Sequence, residues 1–172
     1  MQDNVAEAME NADGFALRRI RFLIGEAKEN APRDQAITFT MRVLSNVATV
    51  GFDASSTQIK LRNRNVSRAA SEFLSECIDG SEWSHATINE HPVPLKETWS
   101  WLCANSLSIT EQEVWCHFLQ NKMVTILKGE DRSLTALGLR SSSQYGNRYI
   151  AAGIEVVLLA HSPSELLKRK PL

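Results

Sequence analysis

Between Ser84 and His91 the chain runs Ser-His-Ala-Thr-Ile-Asn-Glu-His, and Pro92 and Pro94 follow at once. This is the densest grouping of metal-binding and proton-moving side chains in the sequence. A neutral imidazole can ligate a transition metal or act as a general base near neutral pH. A neighbouring carboxylate can hold a divalent ion or orient the ring. His85 and Glu90 are therefore the candidate metal ligands, and His91 is the candidate base. The alternative is a polar loop whose path the prolines set.

A second set of candidates is basic. Lys60, Arg62, Arg64 and Arg68 alternate with Asn63 and Asn65, a mixture suited to phosphates and base edges. A solvated helix start explains the same residues equally well. Arg140 and Arg148 lie near Tyr145 and Tyr149, and arginine forks with stacking tyrosines also fit nucleic acid. The competing reading pairs Arg148 with Glu130 or Asp131 and packs Tyr149 in the core. Four tryptophans, Trp83, Trp99, Trp101 and Trp115, fall in the acidic middle of the chain. Trp99 and Trp115 sit at helical core positions, whereas Trp83 and Trp101 are candidates to anchor a protein partner.

The charge layout underlies both binding readings. Residues 71–115 carry one basic and eight acidic groups, net −7, between stretches 31–70 and 116–172 of net +4 each. Either the basic stretches face an outside anion or the acidic segment neutralises them internally. The length of 172 residues, with 43% hydrophobic and 23% charged content, suits a soluble globular chain with a sizeable core. Three cysteines, with no Cys-x-x-Cys pair, argue against a disulfide framework or a four-cysteine zinc site. No apolar leader opens the sequence and no run reaches the ~20 apolar residues of a membrane span, so a cytoplasmic protein without membrane contact is expected. No Walker A, Gly-x-Gly-x-x-Gly, Gly-x-Ser-x-Gly or His-Glu-x-x-His motif occurs, which disfavours the chemistries those motifs carry.

These groups must be positioned by helices for the most part. Ala16, Ile20, Leu23, Ile24 and Ala27 form one apolar stripe, and Ile37, Met41, Leu44 and Ala48 form a second that Gly51 closes. Val66, Ala70, Phe73, Leu74 and Cys77 form a third, with Gly80 as its stop. Residues 81–94 are expected to be irregular. Helices follow through Trp99 and Leu102, and from the capping box Thr110 to Glu113. Residues 123–127 and 154–159 are short, apolar and partly β-branched, so they predict two strands able to pair with each other. A brief helix before Gly138, a turn at 148–152 and a last helix after Ser162-Pro163 complete the reading. The expected class is mainly α with a small two-stranded β element in the C-terminal half, an α+β fold. A helical lobe over 1–80 and a lobe over 81–172 would form one compact unit.

The run from Glu90 also resembles the Asp-His-x-x-Pro opening of HNH nucleases, with Glu90 for the usual Asp. The resemblance implies metal binding by Glu90, activation of water by His91 for attack on a phosphodiester, and completion of the motif by Asn105 and His117. It would bring a divalent metal as cofactor. The spacing, however, predicts a helix over 96–106 where that family has a strand. A broader layout, Glu-His-x-Val-Pro-Leu followed by Val-Thr-Ile-Leu, Gly-Leu-Arg-Ser and Arg-Tyr-x-Ala-Ala-Gly-Ile, resembles uncharacterised bacterial proteins and points to a bacterial or phage source. Three expectations follow. The first is a non-catalytic protein that binds nucleic acid or a protein partner and needs no cofactor. The second is a small metal-dependent nuclease. The third is a structural subunit of a larger assembly, with oligomers possible.

Overall fold

The computed structural model describes residues 14–140 and 148–169. Helix α1 (Phe15–Lys28) buries the first apolar stripe, Ala16 through Ala27. Helix α2 (Gln35–Val50) begins at Asp34, whose carboxylate accepts a hydrogen bond from the Ile37 N–H at 2.8 Å. It ends at Gly51, where φ is 89°, a left-handed conformation that favours glycine. Helices α6 (Leu95–Asn105) and α7 (Glu111–Gln120) pack with α1 and α2 in one compact unit. In α7 the Thr110 and Glu113 side chains cap each other's backbone, as the sequence signature requires. Ile20, Leu23, Leu44, Leu102, Trp115 and Phe118 lie at the centre of this unit.

The other unit holds the remaining elements. In chain order these are α3 (Ser56–Arg62), β1 (Asn65–Ser67), α4 (Arg68–Glu76), α5 (Gly80–Ala86), β2 (Thr87–Glu90), β3 (Val124–Leu127), α8 (Lys128–Ala136), α9 (Arg148–Ala151), β4 (Val156–Leu158) and α10 (Pro163–Lys168). The strands form one sheet in the order β2-β3-β1-β4. Strand β3 runs antiparallel to β2, with Ile88 opposite Ile126, and parallel to β1, with Val66 opposite Thr125. Strand β4 closes antiparallel onto β1, with Val66 opposite Val157. Val66, Trp83 and Ile126 are fully buried in this unit.

The α+β class holds, but the sheet has four strands rather than two, and β3 and β4 do not pair with each other because β1 lies between them. Strand β1 escaped notice because three residues are too few for a periodic pattern. The stretch expected to be irregular before Pro92 is instead α5 and β2. Asp79 accepts from the Ser81 and Glu82 N–H groups and so starts α5, which makes Gly80 the opening of a helix and not a stop. The grouping of elements also follows a different partition from contiguous 1–80 and 81–172 lobes: the chain leaves the first unit after Asp53, re-enters it at Leu95 and leaves it again after Asn121. The α6–α7 pair is thus inserted between two neighbouring strands, β2 and β3.

A buried polar chain fixes the sheet register. Asn63, 1% exposed, donates its amide to the Met123 carbonyl at 2.9 Å and to Thr125 Oγ1 at 3.2 Å, and accepts from the Asn65 N–H at 3.0 Å. Thr125 Oγ1 in turn donates to Asn89 Oδ1 at 3.1 Å. One side-chain network therefore ties β1, β3 and β2 together. Asn63→Ala leaves buried acceptors without donors, so a loss of about 1–3 kcal/mol is expected. Urea denaturation should show a lower midpoint with an unchanged m-value.

Candidate functional site

Trp101 on α6 stacks against His117 on α7, with ring centroids 4.2 Å apart and planes 14° from parallel. Trp101 and Asn105 lie one turn apart on α6, while Glu113, His117 and Gln120 share one face of α7. Together with Ser108, Ile109 and Cys116 they line a groove of about 430 Å³. This lies in the size range of small-ligand and side-chain pockets. Glu113 Oε2 accepts from the Thr110 N–H and Oγ1, both at 2.7 Å, which holds its carboxyl below the usual carboxylate range. His117 Nε2 lies 3.3 Å from Thr98 Oγ1. Burial pushes this imidazole below its ordinary value of 6.5, so at neutral pH the ring is uncharged. The groove therefore offers a flat aromatic surface, an ionised carboxylate and two primary amides.

The Glu90–His91 segment has another role. Arg148 is 1% exposed, and its guanidinium is surrounded by acceptors. Nη2 donates to the Glu90 carboxylate and to the His91 carbonyl. Nε donates to the Pro92 carbonyl at 3.2 Å, and Nη1 to the Leu139 and Arg140 carbonyls, both at 2.9 Å. Burial raises the Glu90 carboxyl against the opposing pull of Arg148, and Asp131 adds to the rise. Tyr149 is buried beside this pair, and burial with the Glu90 charge pushes its phenol far above the usual range. Arg148 pairs with Glu90, not with Glu130 or Asp131. Glu130 serves Ser67 Oγ and the Leu127 N–H, and Asp131 lies 3.8 Å from Arg140.

The residues expected to act together are distributed differently. Glu90 and His91 belong to the sheet-bearing unit, whereas Asn105 and His117 belong to the helical one. Asn105 donates its amide to the Trp101 carbonyl at 2.8 Å. His85 is exposed on α5. Among the described residues no three His, Cys, Asp or Glu side chains gather in a way that could hold a metal ion. Residues 95–105 are helical, so no second strand follows Glu90 at that point.

The basic stretch is largely engaged within its own unit. Lys60 Nζ donates to the Ser84 carbonyl at 2.7 Å, and burial, aided by Lys128, pushes its ammonium down. Arg64 Nε donates to the Leu159 carbonyl at 2.6 Å. Arg68 forms a two-pronged pair with Glu155 at 2.5 Å. Arg62 is exposed. Trp83 is fully buried, and its Nε1 donates to the Lys60 carbonyl at 2.8 Å, so it cannot anchor an outside partner; Trp101 remains at the surface, half-buried. Tyr145 lies outside the described residues.

A pairing that sequence reasoning missed is Arg33 and Arg42 around Phe39, which is 60% exposed. The signal was available: Phe39 falls off the Ile37, Met41, Leu44 stripe of its own helix. No protein-family model, curated protein or solved structure matches the chain.

Three outcomes test these assignments. Arg148→Ala leaves Glu90 buried without its counter-ion, so a loss of about 3–5 kcal/mol is expected. Arg64→Ala, at an exposed site, should cost no more than about 1 kcal/mol by the same denaturation assay. For His117, stability contributed by the neutral ring is present above pH 6.5 and is lost as pH falls through the depressed value. NMR titration should show His117 titrating below the ordinary imidazole value of 6.5.

Proposed function

We propose that this is a non-catalytic binding protein that takes a protein partner in the groove between α6 and α7. One observation carries the reading: the stacked Trp101–His117 pair lies beside the Glu113 carboxylate and the Asn105 and Gln120 side chains in a single groove. Tryptophan is the residue type most enriched among energetic anchors of interfaces. Of the side chains lining the groove, Glu113 is the one that carries a formal charge, and it is negative. A segment bearing Lys or Arg complements that charge. Its cation has the indole face and Glu113 within one groove, and its backbone amides have two primary amides to bond.

Peptide display against the whole chain tests this. Selected sequences should be rich in Lys and Arg, and Trp101→Ala should abolish their binding. Glu113→Gln keeps the capping-box geometry while removing the charge; it should weaken binding about tenfold, since a hydrogen bond to a charged group contributes about 1.5–3 kcal/mol. Peptides without basic enrichment, or peptides that bind both variants as well as the parent, would overturn the reading. Displacement of bound peptide from the groove by oligonucleotide would assign it to nucleic acid instead.

A further inference from the structure

We infer that α2 carries a second, separate binding surface that takes a nucleobase together with its phosphates, in the form of a single-stranded nucleic acid. The buried stripe of α2 is Ile37, Met41, Leu44 and Ala48. Phe39 lies on the opposite side of the helix and is 60% exposed. Nothing in the fold calls for an aromatic ring there, since Phe is a weaker helix former than Lys, Glu or Ala. Gln35 and Arg42 share the outward face with it, at i−4 and i+3. Arg33 folds back across this face, where its Nη1 donates to Thr38 Oγ1 at 3.1 Å. The resulting shallow cleft of about 580 Å³ thus has an open ring between two exposed guanidiniums.

Charge sets this cleft apart from the ion-paired arginine sites. Arg21, Arg68, Arg140 and Arg148 each have a carboxylate partner, Glu111, Glu155, Asp131 and Glu90 respectively. No such ion pair engages Arg33 or Arg42 among the described residues. The carboxylate in the cleft lining, Asp34, accepts from the Ile37 N–H as the cap of α2. Two cations against one engaged anion leave the cleft positive. A base stacked on Phe39 with flanking phosphates on the two guanidiniums matches how single strands are held without reading their sequence. The other basic candidates lack this combination, because Arg148 is buried and Arg64 and Arg68 are engaged at carbonyl and carboxylate groups.

The test is fluorescence anisotropy of end-labelled oligothymidylate and oligouridylate on the whole chain, with calorimetry of adenosine triphosphate as a parallel arm. Phe39→Ala should weaken strand binding about tenfold or more, and Phe39→Tyr should restore it, because base stacking contributes about 1–3 kcal/mol. Arg33→Gln with Arg42→Gln should lower the slope of log affinity against log salt by about 1.4, two single-strand phosphate contacts' worth. All three positions are exposed, so melting temperatures should stay at the parent value, which separates lost binding from lost fold. Binding of adenosine triphosphate alone, abolished by the same variants, would keep the chemistry and assign it to a free nucleotide. No binding of either probe, or binding that Phe39→Ala leaves intact, would overturn the inference.

Discussion

A guanidinium cannot enter a protein interior without acceptors, and the sheet-bearing unit is arranged around meeting that demand for Arg148. Its donors reach one carboxylate and four backbone carbonyls. Those carbonyls come from two distant stretches, residues 91–92 after β2 and residues 139–140 after α8. The Glu90–Pro92 turn and the end of the α8 connection are therefore held by one side chain. The prolines that follow Glu90 set the path of a segment whose carbonyls point inward to a cation. The dense run of polar residues in this part of the sequence is thus in part a structural device, with Glu90 as the counter-ion of a buried charge.

The same logic sorts the surface. Most of the basic residues that stand out by density in the sequence meet partners inside their own unit: Lys60 at a carbonyl, Arg64 at another, Arg68 at Glu155, and Arg140 near Asp131. Density of charge did not measure availability of charge. Two features left facing outward among the described residues are the Trp101–His117 groove with its Glu113 carboxylate and the Phe39 cleft with its two arginines. Their charged side chains are opposite in sign.

Much of the helical unit was legible in the sequence. Every residue of the Ala16 to Ala27 stripe is buried, as are Ile37, Met41, Leu44 and Ala48, because burial of one helical face imposes a period the eye can find. The capping box at Thr110 and the left-handed glycine at Gly51 have local causes and were equally readable. Strand β1 and strand β2 were not. Their partners lie far along the chain, and the α6–α7 insertion separates β2 from β3, so no local pattern records the pairing. The site was less legible still. The sequence marks Trp101 as a candidate anchor and reaches His117 only through the resemblance to nucleases; the structure shows the two rings stacked. Trp83 and Arg148 show the limit of composition: both residue types are suited to binding, and both are buried here.

The most direct measurement of the central claim is nitrogen-15 NMR of the arginine side chains. If Arg148 holds the sheet-bearing unit together from within, its guanidinium protons should exchange slowly with water, rotate slowly about the Nε–Cζ bond and give cross-peaks to residues near Glu90 and Leu139. A guanidinium that exchanges and rotates as fast as that of exposed Arg42 would contradict the account.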